Sequence, residues 1–159
     1  MSIPSRLAHY LAEHGARYGV YAHRHSRCSA ETARLANVRP HLLAKSVLLE
    51  DDSGPVMAIV PADTKVRLTL VSQLLGRHRL HLSDEARIDA LFADCERGAM
   101  PPVGMPWGVP TVVDSEFEAN EVVYLECGDH ESLLRLSNAQ FRELMRGARH
   151  GHFSREPAH

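Results

Sequence analysis

The chain has 159 residues, 44% of them hydrophobic, and a formal net charge of −2. This length suits one hydrophobic core and is short for two ordinary domains, while the apolar runs fall far below the roughly 20 residues of a membrane span. The small net charge excludes the broad basic footprint of proteins that bind whole nucleic-acid duplexes, so any nucleic-acid contact should be local.

Helices and a short strand are predicted in the first forty residues. A helix capped by Ser2 is predicted to end near Gly15. The alternation of residues 18–23 indicates a strand. Ser29 is the predicted N-cap of a second helix over residues 30–37.

A β-hairpin is the clearest pattern in the chain. Residues 42–49 and 56–60 are apolar, and the Asp-Asp-Ser-Gly sequence at 51–54 joins them. Residues 70–75 predict a short helix that Gly76 ends. A short strand at 80–82 and a helix capped by Ser83 are predicted to follow, with Ile88, Leu91 and Phe92 on the apolar face of the helix.

The chain changes character at residues 98–110, where four prolines and three glycines predict an ordered loop with neither helix nor strand. Further strands are predicted at 111–113, 122–125 and 133–136. Ser137 and Gln140 form a capping-box pattern that opens a final helix through Met145. The close spacing of the strands argues against regular βαβ units and favours a mixed sheet, curled towards a barrel.

Lys45 interrupts the apolar strand Leu-Leu-Ala-Lys-Ser-Val-Leu-Leu. Strand alternation places it on one face with Leu43 and Val47, where an ammonium group is costly unless it has a partner or a function. Two interpretations stay open. Lys45 is either an edge-strand lysine whose head reaches water or a fixed positive charge that holds a phosphate or polarises a carbonyl.

The loop that begins at Gly98 has two interpretations as well. Gly98 and Gly104 allow a ligand to approach the backbone, and Pro101 and Pro102 stiffen the segment between them. The loop either binds a reacting ester with its backbone or simply links a helix to a strand. His130 lies in a Cys-Gly-Asp-His turn, where it is a candidate general base, substrate contact or surface turn residue. Because the chain has 11 histidines, a structural or solvated role is more common for any one of them than a catalytic role.

Metal and nucleophile chemistry have little support. His23 with His25, or His78 with His81, could supply two metal ligands, but no His-Glu-x-x-His motif or cysteine cluster accompanies them, so we expect no metal and no cofactor. The Gly-x-Ser-x-Gly motif is absent. Three cysteines without a C-x-x-C pair indicate free thiols, and with no secretion signal in the sequence we expect a cytoplasmic protein. Cys127, beside the His130 turn, is the one thiol kept as a candidate.

Three segments together resemble the YbaK/ProX family of aminoacyl-tRNA deacylases, whose domain is also the inserted editing module of many bacterial prolyl-tRNA synthetases. They are the Lys45 strand, Asp-Cys-Glu-Arg-Gly-Ala-Met-Pro-Pro-Val-Gly at 94–104, and Gly-Asp-His-Glu-Ser-Leu-Leu-Arg-Leu-Ser at 128–137. The resemblance runs from about residue 29 to residue 145, in the family's order and spacing.

The resemblance implies a curled, barrel-like mixed β-sheet flanked by helices, in a single domain over residues 1–147. Residues 148–159 lack periodicity and are predicted to be a disordered tail. Lys45 matches the family's essential lysine, which implies an anchor for the terminal phosphate or the ester. Several members of the family carry a different polar residue at the position of Ser46. This difference bears on which amino acid the pocket prefers.

The same matching positions give the remaining site residues. The loop is implied to line the aminoacyl pocket, with the His130 turn facing it, and Met57, Met105 and Trp107 are further wall candidates. We predict catalytic roles for Lys45, Gly104 and His130 and substrate-binding roles for Ser46, Gly98, Met100, Pro102 and Gly128.

The predicted function is hydrolysis of the ester of a misacylated tRNA by direct water attack, because an activated ester needs only a placed water and a stabilised oxyanion. The 3′-terminal ribose hydroxyl is a further candidate participant. The expected partner is the aminoacyl-tRNA acceptor end, with a synthetase or elongation factor as a helper, no membrane, and a monomeric protein. The alternative is a non-catalytic module that binds an aminoacyl-tRNA end, a synthetase or a small molecule.

Overall fold

The structure, a computed structural model, describes residues 3–155. Its α-helices are α1 (Ser5–Glu13), α2 (Ser29–Leu35), α3 (Leu68–Leu75), α4 (Glu85–Leu91) and α5 (Asn138–Leu144). Its strands are β1 (Gly19–Ala22), β2 (Leu43–Asp51), β3 (Gly54–Pro61), β4 (Lys65–Val66), β5 (His81–Leu82), β6 (Thr111–Asp114), β7 (Val122–Glu126), β8 (Ser132–Ser137), β9 (Arg149–Gly151) and β10 (Ser154–Arg155). Short 3-10 turns span Pro40–Leu42, Met105–Trp107 and Ser115–Ala119.

One mixed sheet organises the molecule, with the strand order β1-β8-β7-β2-β3-β6-β9, and β5 also pairs with β2. The pairs β2/β7, β3/β6 and β6/β9 are parallel, whereas the other pairs in this sheet are antiparallel. Among the described residues no pairing joins β1 to β9, so the hydrogen-bonded ladder stays open at its two ends. The predicted mixed sheet flanked by helices is confirmed.

The two faces of the sheet bury separate apolar clusters, because consecutive side chains of a strand point to opposite faces. Met57 and Ile59 of β3 belong to the cluster that α1 and α5 cover with residues such as Leu11. Val60 of the same strand belongs to the cluster that α3 covers with Val71. The β2–β3 hairpin is thus the buried centre of the fold, and its predicted turn is confirmed by the pairing of Asp51 with Gly54.

Several predicted helix starts are wrong by one residue or in their caps. Helix α2 begins at Ser29 itself, after an extended Cys28. Helix α4 is capped by Asp84, not Ser83, because the Asp84 carboxylate accepts a hydrogen bond from the Arg87 amide. The predicted cap Ser2 of the first helix lies outside the described residues.

The capping box at α5 is only half formed. The Ser137 side chain accepts from the Gln140 amide as predicted. The Gln140 side-chain oxygen, however, accepts from the Arg17 amide, 3.1 Å away. The loop at 98–110 also contains a 3-10 turn that was not predicted, and Gly108, at φ 69°, ends it.

The prediction of a disordered tail is wrong for its described part. Strand β9 adds to β6 in parallel, and β10 pairs with β4. Asp114 holds the segment through hydrogen bonds from the Phe153 and Ser154 amides. Phe153 is buried in the cluster beneath α3. Residues 156–159 of the predicted tail lie outside the described residues.

Candidate functional site

The central strand β2 has one stretch with a partner strand on one side only. Strand β7 pairs with it at Leu43 and Ala44, and β5 pairs with it at Leu49 and Glu50. Between these two short contacts, the described residues provide no strand beside β2 on that edge. The sheet is therefore split next to Lys45.

The hydrogen-bond pattern shows which backbone groups face the split. The Leu43 carbonyl accepts from the Ala62 amide beside β3, whereas the Leu48 carbonyl accepts from the Ser83 amide on the other side. Because consecutive residues of an antiparallel strand alternate in direction, Ser46 directs its amide and carbonyl to the same side as Leu48. These backbone groups face the split in the sheet.

A cavity of about 290 Å³ occupies this split. Its walls come from β2, from β5 and α4, from the beginning of the loop at 97–100, and from the end of β7. The polar and charged lining residues are Ser29, Lys45, Ser46, Ser83, Glu85, Asp89, Arg97 and Glu126. Of the eight site residues predicted from the sequence, the cavity brings together Lys45, Ser46, Gly98 and Met100.

Lys45 lies on a central strand of the sheet, at a position where the described residues leave one side of that strand without a neighbour. Its ammonium group donates a hydrogen bond to the Thr64 carbonyl over 2.7 Å. Desolvation by burial lowers the pKa of Lys45, and the neighbouring Asp63 carboxylate opposes that shift. The lysine thus presents a partly desolvated, anchored positive charge at the cavity.

Ser46 connects the strand to the loop. Its hydroxyl donates to the Met100 carbonyl over 2.9 Å. Met100 is buried in the larger cluster while its surface also lines the cavity. The loop is therefore fastened directly to β2 beside Lys45.

His130 is hydrogen-bonded to the same loop. It is 1% exposed, and its Nε2 lies 2.7 Å from the Arg97 carbonyl oxygen, which can only accept, so Nε2 carries the proton. His130 does not line the cavity. Gly98, at φ +82°, lies so close that a Cβ there would be 3.0 Å from the His130 Nε2 atom. Gly98 is thus confined by both backbone conformation and space.

Three other predicted site residues lie away from the cavity. A Cβ at Gly104 would come within 2.3 Å of the Thr111 hydroxyl and 2.7 Å of the Val109 carbonyl, so this glycine serves a close packing contact. Gly128, at φ +109°, packs against the Pro4 ring. Pro102 is buried and does not contribute to the lining.

The wall candidates Met57, Met105 and Trp107 do not line the cavity either. Met57 is wholly buried in the core, and the Trp107 indole donates to Asp94 on the surface.

Glu126 was not predicted. It is 3% exposed and ends β7, and its Oε1 accepts a hydrogen bond from the Thr32 hydroxyl over 2.8 Å. Burial is the main cause that raises its pKa from 4.5 to about 7, with further contributions from Asp129 and Glu96. The only sequence signal was an acidic residue at the end of the strand Val-Val-Tyr-Leu-Glu, which also fits a solvated strand end.

Charged side chains border the cavity on the α4 side. Arg97 forms ion pairs with Glu85 at 3.1 Å and with Asp89 at 2.5 Å. These groups are exposed, so their contribution to stability is small. They place two carboxylates and a guanidinium beside the cavity, and their charges largely compensate one another.

The cavity carries no recognisable nucleophile pair. No histidine among residues 3–155 lines it, so its serines have no imidazole base from this part of the chain. Burial raises the pKa of both Cys95 and Cys127 to about 12, which keeps them as unreactive thiols. Cys127 donates to the Ser132 carbonyl. What remains is an ammonium, a buried carboxyl and directed backbone groups, a set suited to binding a polar ligand and orienting water.

Residues 3–155 contain neither a metal-binding cluster nor a membrane-spanning helix. No group of three or more His, Cys, Asp or Glu side chains there is arranged to hold a metal ion. None of the helices in this part of the chain has the length and apolar character needed to cross a membrane.

Comparison with known proteins gives a sequence match and several structural matches. The sequence model of the family described as "Aminoacyl-tRNA editing domain" matches residues 23–144. A protein of Enterococcus faecalis (strain ATCC 700802 / V583), named "Putative Cys-tRNA(Pro)/Cys-tRNA(Cys) deacylase EbsC", is 27% identical over 109 residues. That match covers 62% of this chain and 64% of the relative, and so spans less than two thirds of the relative's length.

Solved structures share the fold at lower sequence identity. The hypothetical protein APE2540 superposes with a TM-score of 0.82 at 21% identity, covering 94% of this chain and 99% of that one. A structure titled "Crystal structure of a putative trans-editing enzyme for prolyl tRNA synthetase" superposes with a TM-score of 0.80 at 20% identity, covering 95% and 96%. These two likenesses establish the architecture.

Proposed function

This chain belongs to the aminoacyl-tRNA editing domain family, and from that premise we propose that it is a trans-editing hydrolase of the ester in misacylated tRNA. The observation that carries the proposal is a cavity lined both by Lys45, whose ammonium is anchored to the Thr64 carbonyl, and by the loop at 97–100, with no nucleophile pair among the described lining residues. A site of this kind suits an ester that is already activated.

The proposed reaction is direct attack by water on the ester carbonyl. The Lys45 ammonium binds the terminal phosphate or stabilises the developing oxyanion. The backbone near Gly98 and Ser46 orients the water and the ester carbonyl. His130 acts as a positioning residue, through its hydrogen bond to the Arg97 carbonyl. In this proposal Gly104 and Gly128 shape the loop and the turn without touching the substrate.

The proposed partner is the acceptor end of an aminoacyl-tRNA. The formal net charge of −2 is close to neutral, which favours local recognition of the terminal nucleotides over tight binding of the whole tRNA. A synthetase or an elongation factor that presents the tRNA would supply the missing affinity.

The proposal is tested with a panel of misacylated tRNAs incubated with wild type, Lys45→Met and Lys65→Met. Lys65 is the chain's only other lysine and is exposed on β4, so Lys65→Met removes the same charge outside the cavity. We expect wild type and Lys65→Met to accelerate hydrolysis of at least one tRNA, and Lys45→Met to lower kcat/KM by about 100-fold or more.

Two results would contradict this function. If wild type accelerates hydrolysis of no tRNA in the panel but binds an acceptor end, the protein is a binding module and not an enzyme. If Lys45→Met matches wild type, the assignment of Lys45 fails.

A further inference from the structure

Glu126 stands at the edge of the split in the sheet. Strand β7 pairs with β2 through Tyr124 and Leu125 and then ends at Glu126. Glu126 therefore lines the cavity at the point where β2 loses its neighbour, with its carboxyl group buried. It shares that cavity with Lys45.

The two carboxyl oxygens of Glu126 are not equivalent. Oε1 receives the Thr32 hydroxyl and lies 3.9 Å from His130 Nδ1. Oε2 is buried and has no hydrogen-bond partner among residues 3–155. Whether the group is ionised or protonated, this oxygen is left as an unsatisfied acceptor or donor.

An unsatisfied polar atom at this depth is costly, and an ionised carboxylate without a cation is more so. Lys45 does not meet the need, because its ammonium donates to the Thr64 carbonyl and does not reach Oε2, which has no partner among residues 3–155. A ligand that brought an N–H cation to Oε2 would form a charge-assisted hydrogen bond and remove the penalty. The terminal torsion of a glutamate is broad, so the carboxylate can turn towards the cavity with little strain.

Besides the mutually compensating Arg97, Glu85 and Asp89, the cavity is thus lined, among residues 3–155, by one basic residue, Lys45, and one buried acidic residue, Glu126. An aminoacyl ester has the matching polarity, because its α-ammonium group lies one carbon from the ester carbonyl. An ester whose α-nitrogen is acylated, as in a peptidyl or formylated chain end, has no cation to offer.

We propose that Glu126 receives the protonated α-amino group of the bound aminoacyl ester and makes the site selective for esters with a free α-amine. This inference rests on the proposed function for the identity of the ligand. It assigns substrate orientation to a residue at the end of β7. It also means that acylated and peptidyl esters are disfavoured because they lack this positive charge.

The test is a binding measurement on acceptor-stem minihelices that cannot be hydrolysed. One probe ends in 3′-deoxy-3′-(L-alanylamino)adenosine and the other in the L-lactyl counterpart, which replaces only the amine by a hydroxyl. Kd values are measured at pH 7.0 for wild type, Glu126→Gln and Glu85→Gln. Glu85→Gln is the matched control, because it neutralises a carboxylate of the same cavity that already has Arg97 as a partner.

We expect wild type and Glu85→Gln to bind the alanyl probe at least about 10-fold more tightly than the lactyl probe. In Glu126→Gln this preference should fall to less than about 2-fold. The inference is overturned if wild type binds the two probes equally, if it fails to bind the alanyl probe, or if Glu126→Gln keeps the preference. If Glu126→Gln folds poorly, the comparison of the alanyl and lactyl probes on wild type still tests the inference, because equal binding would overturn it.

Binding and turnover are separable in this design. If wild type prefers the alanyl probe but hydrolyses no aminoacyl ester, the role of Glu126 in binding the α-amino group is supported and the proposed hydrolase activity is refuted. If Glu126 were instead a general base, Glu126→Gln would slow hydrolysis of alanyl and lactyl esters by the same factor and leave the binding preference intact, which overturns the inference.

Discussion

The imidazole Nε2–H of His130 donates to the backbone carbonyl of Arg97, 2.7 Å away, and this bond joins the turn before β8 to the loop that lines the cavity. His130 is itself held in a left-handed conformation at φ +57°. A non-glycine residue in this conformation is uncommon and persists where the surroundings fix it. The bond therefore sets the position of the loop next to Gly98.

Replacing His130 should displace the loop. We expect His130→Ala to lower kcat/KM on a misacylated tRNA by about 10- to 100-fold, since small misplacements at a site have effects of that size. In His130→Gln the amide can still donate to Arg97, so a part of the activity should return. Steady-state kinetics on both variants checks this, and equal losses in the two would show that the hydrogen bond is not what matters.

Gly98 and Gly76 offer a matched pair of alanine substitutions. Both have positive φ, +82° and +66°, but a Cβ at Gly76 meets nothing within 4 Å, whereas one at Gly98 would lie 3.0 Å from His130 and 3.2 Å from the Arg27 carbonyl. We expect Gly76→Ala to cost about 1 kcal/mol in the free energy of unfolding and Gly98→Ala about 2–4 kcal/mol. Urea unfolding measures both.

A double-mutant cycle then isolates the contribution of the His130 ring to the Gly98 effect. In the His130→Ala background the ring is gone, so Gly98→Ala should cost at least about 0.5 kcal/mol less than in wild type. Additive effects of the two substitutions would show that the ring does not contribute and that backbone strain and the Arg27 carbonyl contact explain the loss.

The central part of the fold could be predicted because its signals are local. The hairpin follows from two apolar runs around an Asp-Asp-Ser-Gly turn, and the position of Lys45 follows from strand alternation. The cavity beside Lys45 could not be predicted from the sequence, because it depends on where β7 and β5 stop pairing with β2. Those end points are set by contacts between residues distant in the sequence.

The missed parts of the site have the same cause. Glu126 is a single acidic residue at the end of an apolar strand. The neighbouring sequence does not distinguish a buried carboxyl group from a solvated one. The strand at 149–151 reads Arg-His-Gly, with no apolar alternation, and it forms because β6 supplies a parallel neighbour and Asp114 binds the following amides.

Phe153 should therefore contribute to stability, contrary to what a disordered tail implies. Its side chain is 1% exposed, so Phe153→Ala should lower the free energy of unfolding by about 3–5 kcal/mol. The neighbouring exposed His152 provides the control, and His152→Ala should change it by less than about 0.5 kcal/mol. Similar urea midpoints for the two variants would mean that the segment does not pack as described.

Glu126 should also make stability depend on pH in a direction opposite to that of ordinary carboxylates. Its pKa is raised to about 7 in the folded protein, mainly by burial, from 4.5. Between these values the folded state holds a proton that the unfolded state has lost, so the stabilisation is complete below pH 4.5 and is lost as pH rises towards 7. A shift of this size corresponds to ~3 kcal/mol.

The isosteric variant Glu126→Gln has no carboxyl group at this position and stays neutral across this pH range. We expect its free energy of unfolding, minus that of wild type, to increase by up to ~3 kcal/mol between pH 4.5 and pH 7 and to stay level above pH 8. Urea unfolding of both proteins across this range measures the difference. Asp129 and Glu96, whose charges contribute to the raised pKa of Glu126, are present in both proteins. A difference that does not change with pH would show that Glu126 ionises in the folded protein as easily as in water.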